Sequence, residues 1–94
     1  MILSYGDEET ERFSLGMHIK QFENIEKAGR LKLNKLRDAV TLTDIANLPG
    51  NRFEKLRGDR SGQFSIRIND QWRICFLWDD EAKGFAEVMI VDYH

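Results

Sequence analysis

One carboxylate, a run of arginines and an acidic–aromatic–basic ending are the residues of this chain whose types suit chemistry on a phosphate. Glu54 stands ahead of a stretch in which Arg67 and Arg73 alternate with apolar residues, and Asp92, Tyr93 and His94 close the sequence. A guanidinium grips phosphate oxygens with two parallel N–H donors. A Glu, an Arg and a His around one phosphodiester can cleave RNA without a metal. The carboxylate takes the proton of the 2′-hydroxyl, the guanidinium stabilises the charge building on phosphorus, and the protonated imidazole hands a proton to the leaving 5′-oxygen. Each residue also has an ordinary explanation. Two arginines on a solvated strand face need no function, a terminal His is a chain end, and a Tyr there can simply pack on a sheet edge.

Other chemistries find less support. One Cys and two His, with His18 and His94 far apart, offer no zinc-type ligand spacing, so neither metal nor cofactor is expected. No phosphate-cradling glycine loop, nucleophile elbow or dinucleotide fingerprint is present. Gly58-Asp59-Arg60-Ser61-Gly62 is bracketed by glycines but reads as a hairpin or loop. Cys75 alternates within a strand with no His near it, which suits a packed thiol better than a nucleophile.

The elements that must hold these groups fit one domain over residues 1–94. The chain is 41% hydrophobic and 11% aromatic, too rich for disorder. It has no apolar run long enough to span a membrane and no secretory leader, and its lone Cys fits a reducing compartment; these point to the cytoplasm. The net charge is −2, yet residues 51–75 carry six basic against three acidic side chains, five of the six being Arg. A local excess of this size gives only weak attraction to free nucleic acid.

Ile2–Tyr5 is a short strand candidate able to pair at a sheet edge, and Asp7 can cap a helix that stops near Gly16. Phe22, Ile25, Ala28, Leu33, Leu36 and Val40 then recur at a helical period, predicting a helix over 22–41 despite Gly29. Thr43–Ile45 adds a helical turn, and Leu48-Pro49-Gly50-Asn51 breaks the helical half. Beyond it the period becomes two: Phe64, Ile66 and Ile68, then Trp72, Ile74, Phe76 and Trp78, then the buried run 88–91. Asn69-Asp70 and Asp79–Gly84 read as turns. The expectation is α+β, with two N-terminal helices packed on a twisted antiparallel sheet of about four strands. Arg67 and Arg73 then both point to the face away from the helices.

Three segments together resemble a known family. Residues 54–68, from Glu54-Lys55-Leu56-Arg57-Gly58 to Ser65-Ile66-Arg67-Ile68, look like the loop-and-strand signature of RelE/ParE-superfamily toxins. Asn69-Asp70-Gln71-Trp72-Arg73-Ile74-Cys75-Phe76 resembles the strand that follows, and Val91-Asp92-Tyr93-His94 is similar to the ending of the HigB, or killer-protein, branch. The resemblance implies a bacterial type II toxin that enters the ribosomal A site and cuts messenger RNA. It implies a HigA-like helix-turn-helix antitoxin as partner, with promoter DNA reached only through that complex. Arg73 matches the family's central-strand arginine, Asp92, Tyr93 and His94 its ending, and Arg57 its basic loop position. Lys55, Arg57, Arg60 and Arg67 are the expected contacts to RNA and ribosome.

Several HigB members carry His where this chain has Glu54, whereas YoeB-type relatives carry Glu. Glu54, Arg73 and His94 therefore resemble the Glu/Arg/His set of those relatives and of fungal guanyl ribonucleases, with Glu54 as base and His94 as acid. Tyr93 would stack on, or orient, a base or ribose. Two alternatives stay open at this point: a ParE-like inhibitor of DNA gyrase that performs no chemistry, and an interaction module whose ancestral site has decayed.

Overall fold

Asp7 opens the first helix because its carboxylate accepts the Thr10 amide at 2.8 Å, satisfying a donor that no earlier carbonyl can reach. Glu8, Glu9 and Glu11 stand in the first turns, where the helix dipole favours anions. In the computed structural model, which describes residues 1–92, this element is α1 (Glu8–Ser14), and the left-handed Gly16 follows its end. A 3₁₀ segment (Lys20–Ile25) leads into α2 (Glu26–Asp38). The short α3 (Leu42–Ala46) starts with a capping box, in which the Asp44 amide donates to Thr41 Oγ1 and the Asp44 carboxylate accepts the Thr41 amide.

The helix expected over 22–41 is thus two elements, and it stops at Asp38: Ala39 is extended and Val40 is 70% exposed. The buried stripe runs Phe22, Ile25, Gly29, Leu33, Leu36, so Gly29 and not Ala28 faces inward. The reason is Phe13. A Cβ on residue 29 would lie 3.2 Å from two atoms of that ring. Phe13 is boxed in on its other sides by Phe22, edge-on at 5.3 Å, and by the Arg30 guanidinium at 4.6 Å over its face. Alanine is the better helix former by about 1 kcal/mol, but overpacking a ring that cannot retreat costs about 1–3 kcal/mol. Gly29→Ala is therefore expected to lower the unfolding free energy by about 1 kcal/mol in a urea titration; a gain would show that the ring yields.

The sheet has order β1-β2-β3-β4, all antiparallel: β1 (Glu54–Lys55), β2 (Phe64–Arg67), β3 (Trp72–Asp79) and β4 (Gly84–Asp92). The three-strand meander is as expected. The fourth strand is Glu54–Lys55, which the alternation pattern alone placed ahead of the sheet. Ile2 and Tyr5 pair at the opposite edge, in parallel, with Phe85 and Val88. Asn69 makes the β2–β3 turn by accepting the Gln71 and Trp72 amides, and Asp79 does the same for Glu81 and Ala82 in the next turn.

The helices cover one sheet face. Phe64, Ile66, Ile74, Phe76, Phe85, Val88 and Ile90 meet Phe13, Phe22, Ile25, Leu33, Leu36 and Ile45 there. The inward residues of β4 are three apart between Phe85 and Val88 because a bulge intervenes opposite Phe76, with Glu87 at φ +50°. Ser4 holds that bulge, accepting the Glu87 amide at its hydroxyl and the Val88 amide at its carbonyl. No helix among the described residues is long and apolar enough to cross a membrane.

Candidate active site

The face away from the helices carries the polar groups. Pairing aligns Glu54 with Ser65, Ser65 with Cys75 and Cys75 with Met89, forming one row across all four strands. The next row aligns Arg67, Arg73 and Val91. Arg67 and Arg73 thus share the face that alternation assigned them, but neither waves in solvent. Arg73 is only 6% exposed. Its Nε donates to Ser65 Oγ at 2.8 Å, and its Nη2 donates to the Arg52 carbonyl at 2.6 Å and the Ser65 carbonyl at 3.3 Å. Glu54 Oε1 lies 3.9 Å from the same Nη2, half exposed on the edge strand. Arg67, in register with Arg73, carries its own counter-charge: its guanidinium pairs with Asp70 at 2.5 Å. That bond to Arg67 holds the Asp70 carboxyl below the usual carboxylate range.

The carbonyl that receives Arg73 is placed by its neighbour. Asn51 is fully buried; its Nδ2 donates to the Ile45 carbonyl at 3.0 Å and its Oδ1 accepts Lys32 Nζ. Its own amide reaches Leu48, and its carbonyl accepts the Arg67 amide at 2.6 Å. So α2, α3 and β2 all grip one side chain and its peptide groups. Beside it Arg52 sits at φ +44°, in the left-handed region that a non-glycine residue rarely adopts, and Gly50 at φ +84° makes the turn possible.

The remaining candidates scatter. Arg60, half-buried, donates to Gln63 at 3.3 Å and lies 3.8 Å from Met89 Sδ, beside the Glu54–Met89 row. Arg57 is exposed just ahead of the 3₁₀ turn Gly58–Arg60, and that loop is structural in form, with Gly58 and Gly62 both left-handed. Lys55 is exposed, opposite Phe64, and alternates away from Glu54. Asp92 is in register with Trp72, on the alternation opposite to Arg73, and accepts from Gln71 at 3.1 Å. Tyr93 and His94 lie outside the described residues. Among the described residues no three His, Cys, Asp or Glu side chains gather as metal ligands would. A cavity of about 450 Å³ between Val40–Thr43 and Trp78 contains none of the candidate residues.

Cys75 is packed, as its alternation suggested. Burial pushes its thiol up, and the nearby Arg60 and Arg73 only partly offset that. The folded protein should therefore resist iodoacetamide at pH 8 and react fully in denaturant; rapid native alkylation, read by mass spectrometry, would contradict this packing.

Residues 4–94 match the family profile described as the RelE-like toxin of the type II toxin–antitoxin system HigB. The chain belongs to the HigB-like toxin family. Toxin HigB-1 of Vibrio cholerae serotype O1 is 46% identical over 71 residues, covering 76% of this chain and 72% of the relative. A YoeB–YefM complex from Staphylococcus aureus superposes with a TM-score of 0.63 at 23% identity, covering 100% of this chain and 95% of the other. The YoeB dimer from the same organism gives 0.61 at 24%, covering 99% and 94%. This HigB-like chain is thus a toxin of a type II toxin–antitoxin system with the α+β fold expected from its sequence.

The residues that sequence reading missed are Ser65, Asn51 and the Arg52 carbonyl. Ser65 had a signal: it shares the alternation of Arg67 and Arg73 and is the small polar residue between two apolar ones.

Proposed function

We propose that this toxin is a ribosome-dependent, metal-independent endoribonuclease that cuts messenger RNA and so stops translation. The observation that carries the reading is the Glu54–Arg73 pair, a carboxylate 3.9 Å from a nearly buried guanidinium on one sheet face. Family membership supplies the biological frame. In the proposed reaction Glu54 takes the 2′-hydroxyl proton, and the 2′-oxygen attacks the adjacent phosphorus. Arg73 stabilises the added charge on the phosphoryl oxygens. The P–O5′ bond breaks, with His94 giving its proton to the leaving oxygen, so the products are a 2′,3′-cyclic phosphate and a 5′-hydroxyl. Tyr93 is assigned to orienting the substrate, Asp92 to holding the strand end ahead of His94 through Gln71, and Lys55, Arg57, Arg60 and Arg67 to RNA and ribosome contacts. Because the whole chain carries a net charge of −2, the ribosome must present the message; long-range attraction to free RNA is weak.

The partner in this reading is a helix-turn-helix antitoxin, through which the pair reaches its promoter, and the site of action is the bacterial cytoplasm. The test is induction of the chain alone in bacteria with primer extension on a reporter message. Growth arrest with new cuts inside translated codons, abolished by deleting His94, is the expected result. Arrest with uncut message would instead point to a non-catalytic target such as gyrase, and no arrest to a decayed toxin.

A further inference from the structure

We infer that Ser65 is a positioning residue: its hydroxyl aims the Arg73 guanidinium and affects cleavage only through it. The inference rests on the ribonuclease reading and adds to it a residue that does not touch the RNA.

A long side chain on a strand face ordinarily samples many rotamers, and a transition-state charge partner that must first be ordered loses part of its advantage. Arg73 is ordered from the side. Ser65 lies diagonally across from it, two residues from Arg67, its directly opposed partner, a separation that a long side chain spans. The Nε–H of a guanidinium points in one direction only, so an acceptor at 2.8 Å there fixes rotation about the last side-chain bond. The Arg52 carbonyl at 2.6 Å and the Ser65 carbonyl at 3.3 Å fix a second corner, at Nη2. Two corners fix a plane.

The residue type itself points to this role. Ser65 is fully buried in the middle of a sheet, where β-branched and aromatic residues are favoured and a hydroxyl is costly unless bonded. In its row it stands between Glu54 and Cys75. Alanine there would leave Nε without this acceptor. Serine is the small residue that offers one.

The test is the single-turnover cleavage rate on programmed ribosomes for wild type, Ser65→Ala, Ser65→Thr, Arg73→Ala and the Ser65→Ala/Arg73→Ala double variant, with the toxin concentration series run for each. Ser65→Ala is expected to slow the maximal rate by about ten- to a hundredfold, the worth of one hydrogen bond to a charged group, without moving the half-saturating concentration. Ser65→Thr, which keeps the hydroxyl, restores most of the rate. In the Arg73→Ala background the Ser65 change adds no further loss. An equal fractional loss in both backgrounds, or a threonine variant as slow as alanine, would overturn the inference. Should alanine not fold, Ser65→Cys, close in shape but a weak acceptor, gives the same comparison. A separate readout is proton exchange at Arg73 Nε by NMR, slow in wild type and faster in Ser65→Ala; equal rates would overturn the positioning role. A wild-type toxin that cuts nothing would instead remove the ribonuclease reading, and the two failures are told apart by the exchange rates.

Discussion

Arg73→Ala should cut messenger cleavage by about 10²- to 10³-fold in single-turnover assays on programmed ribosomes, the usual cost of removing one donor from a transition-state charge site. The same change should also lower stability. It strips the Ser65 hydroxyl and the Arg52 carbonyl of a buried donor, at about 1–3 kcal/mol for each group left unsatisfied. A domain of this size holds about 5–15 kcal/mol in reserve, so the variant should remain folded at 25 °C with a lower melting temperature. Arg73→Lys separates the two effects. It keeps the charge but replaces the planar fork with a single ammonium that cannot bridge Ser65 and Arg52 in the same way. The melting temperature should recover in part while the rate does not. Cleavage by Arg73→Ala within a few-fold of wild type would dismiss Arg73 from the chemistry.

Glu54→Gln should be as damaging to activity and nearly silent in stability. The amide has the shape of the carboxylate but cannot accept the 2′-hydroxyl proton, and loss of a general base typically costs about 10²–10⁴-fold. Glu54 is half exposed on an edge strand, 3.9 Å from its partner, so its pair with Arg73 contributes little to folding. Glu54→His is the informative companion. A base works in its deprotonated form, so its rate falls as pH drops through its pKa. An imidazolium is a weaker acid than a carboxylic acid, so the fall should come at higher pH in Glu54→His than in wild type. A pH–rate profile that does not move between the two would place the base elsewhere.

Hydropathy period accounts for most of the structure that was legible in the sequence. Alternation gave the meander, put Arg67 and Arg73 on one face and Cys75 in the packing, because strand geometry leaves a side chain only two directions. Capping chemistry gave α1, since Asp7 acts on an amide three residues away, whereas the Thr41 cap of the turn at Thr43–Ile45 went unread. The features that escaped depend on contacts far along the chain. Gly29 looked like a weak point in a helix and is instead the socket for Phe13, sixteen residues earlier. β1 has only two residues, too few to alternate, and becomes a strand because Ser65 and Phe64 offer partners. Within the candidate site, Glu54 and Arg73 were visible by type and are brought together. Asn51 read only as part of a turn, and the carbonyl beside it has no side-chain signature at all. Asp92, expected with them, is aligned with Trp72 because a strand cannot send consecutive side chains to the same face.

The two halves of the candidate pair are anchored very differently. Arg73 rises from the central strand β3, hydrogen-bonded on both sides, whereas Glu54 belongs to a two-residue edge ladder flanked by the bonds from the Leu56 amide to Gln63 and from the Arg67 amide to Asn51. Fraying at an edge costs far less than opening a sheet interior. The Glu54 amide proton should therefore exchange with solvent through brief local openings, and those of the central strand only when the whole domain opens. The two members of the candidate pair thus belong to different cooperative units, and under the proposed reaction the fraction of molecules ready to react at any instant would be set by the closed population of a two-residue ladder.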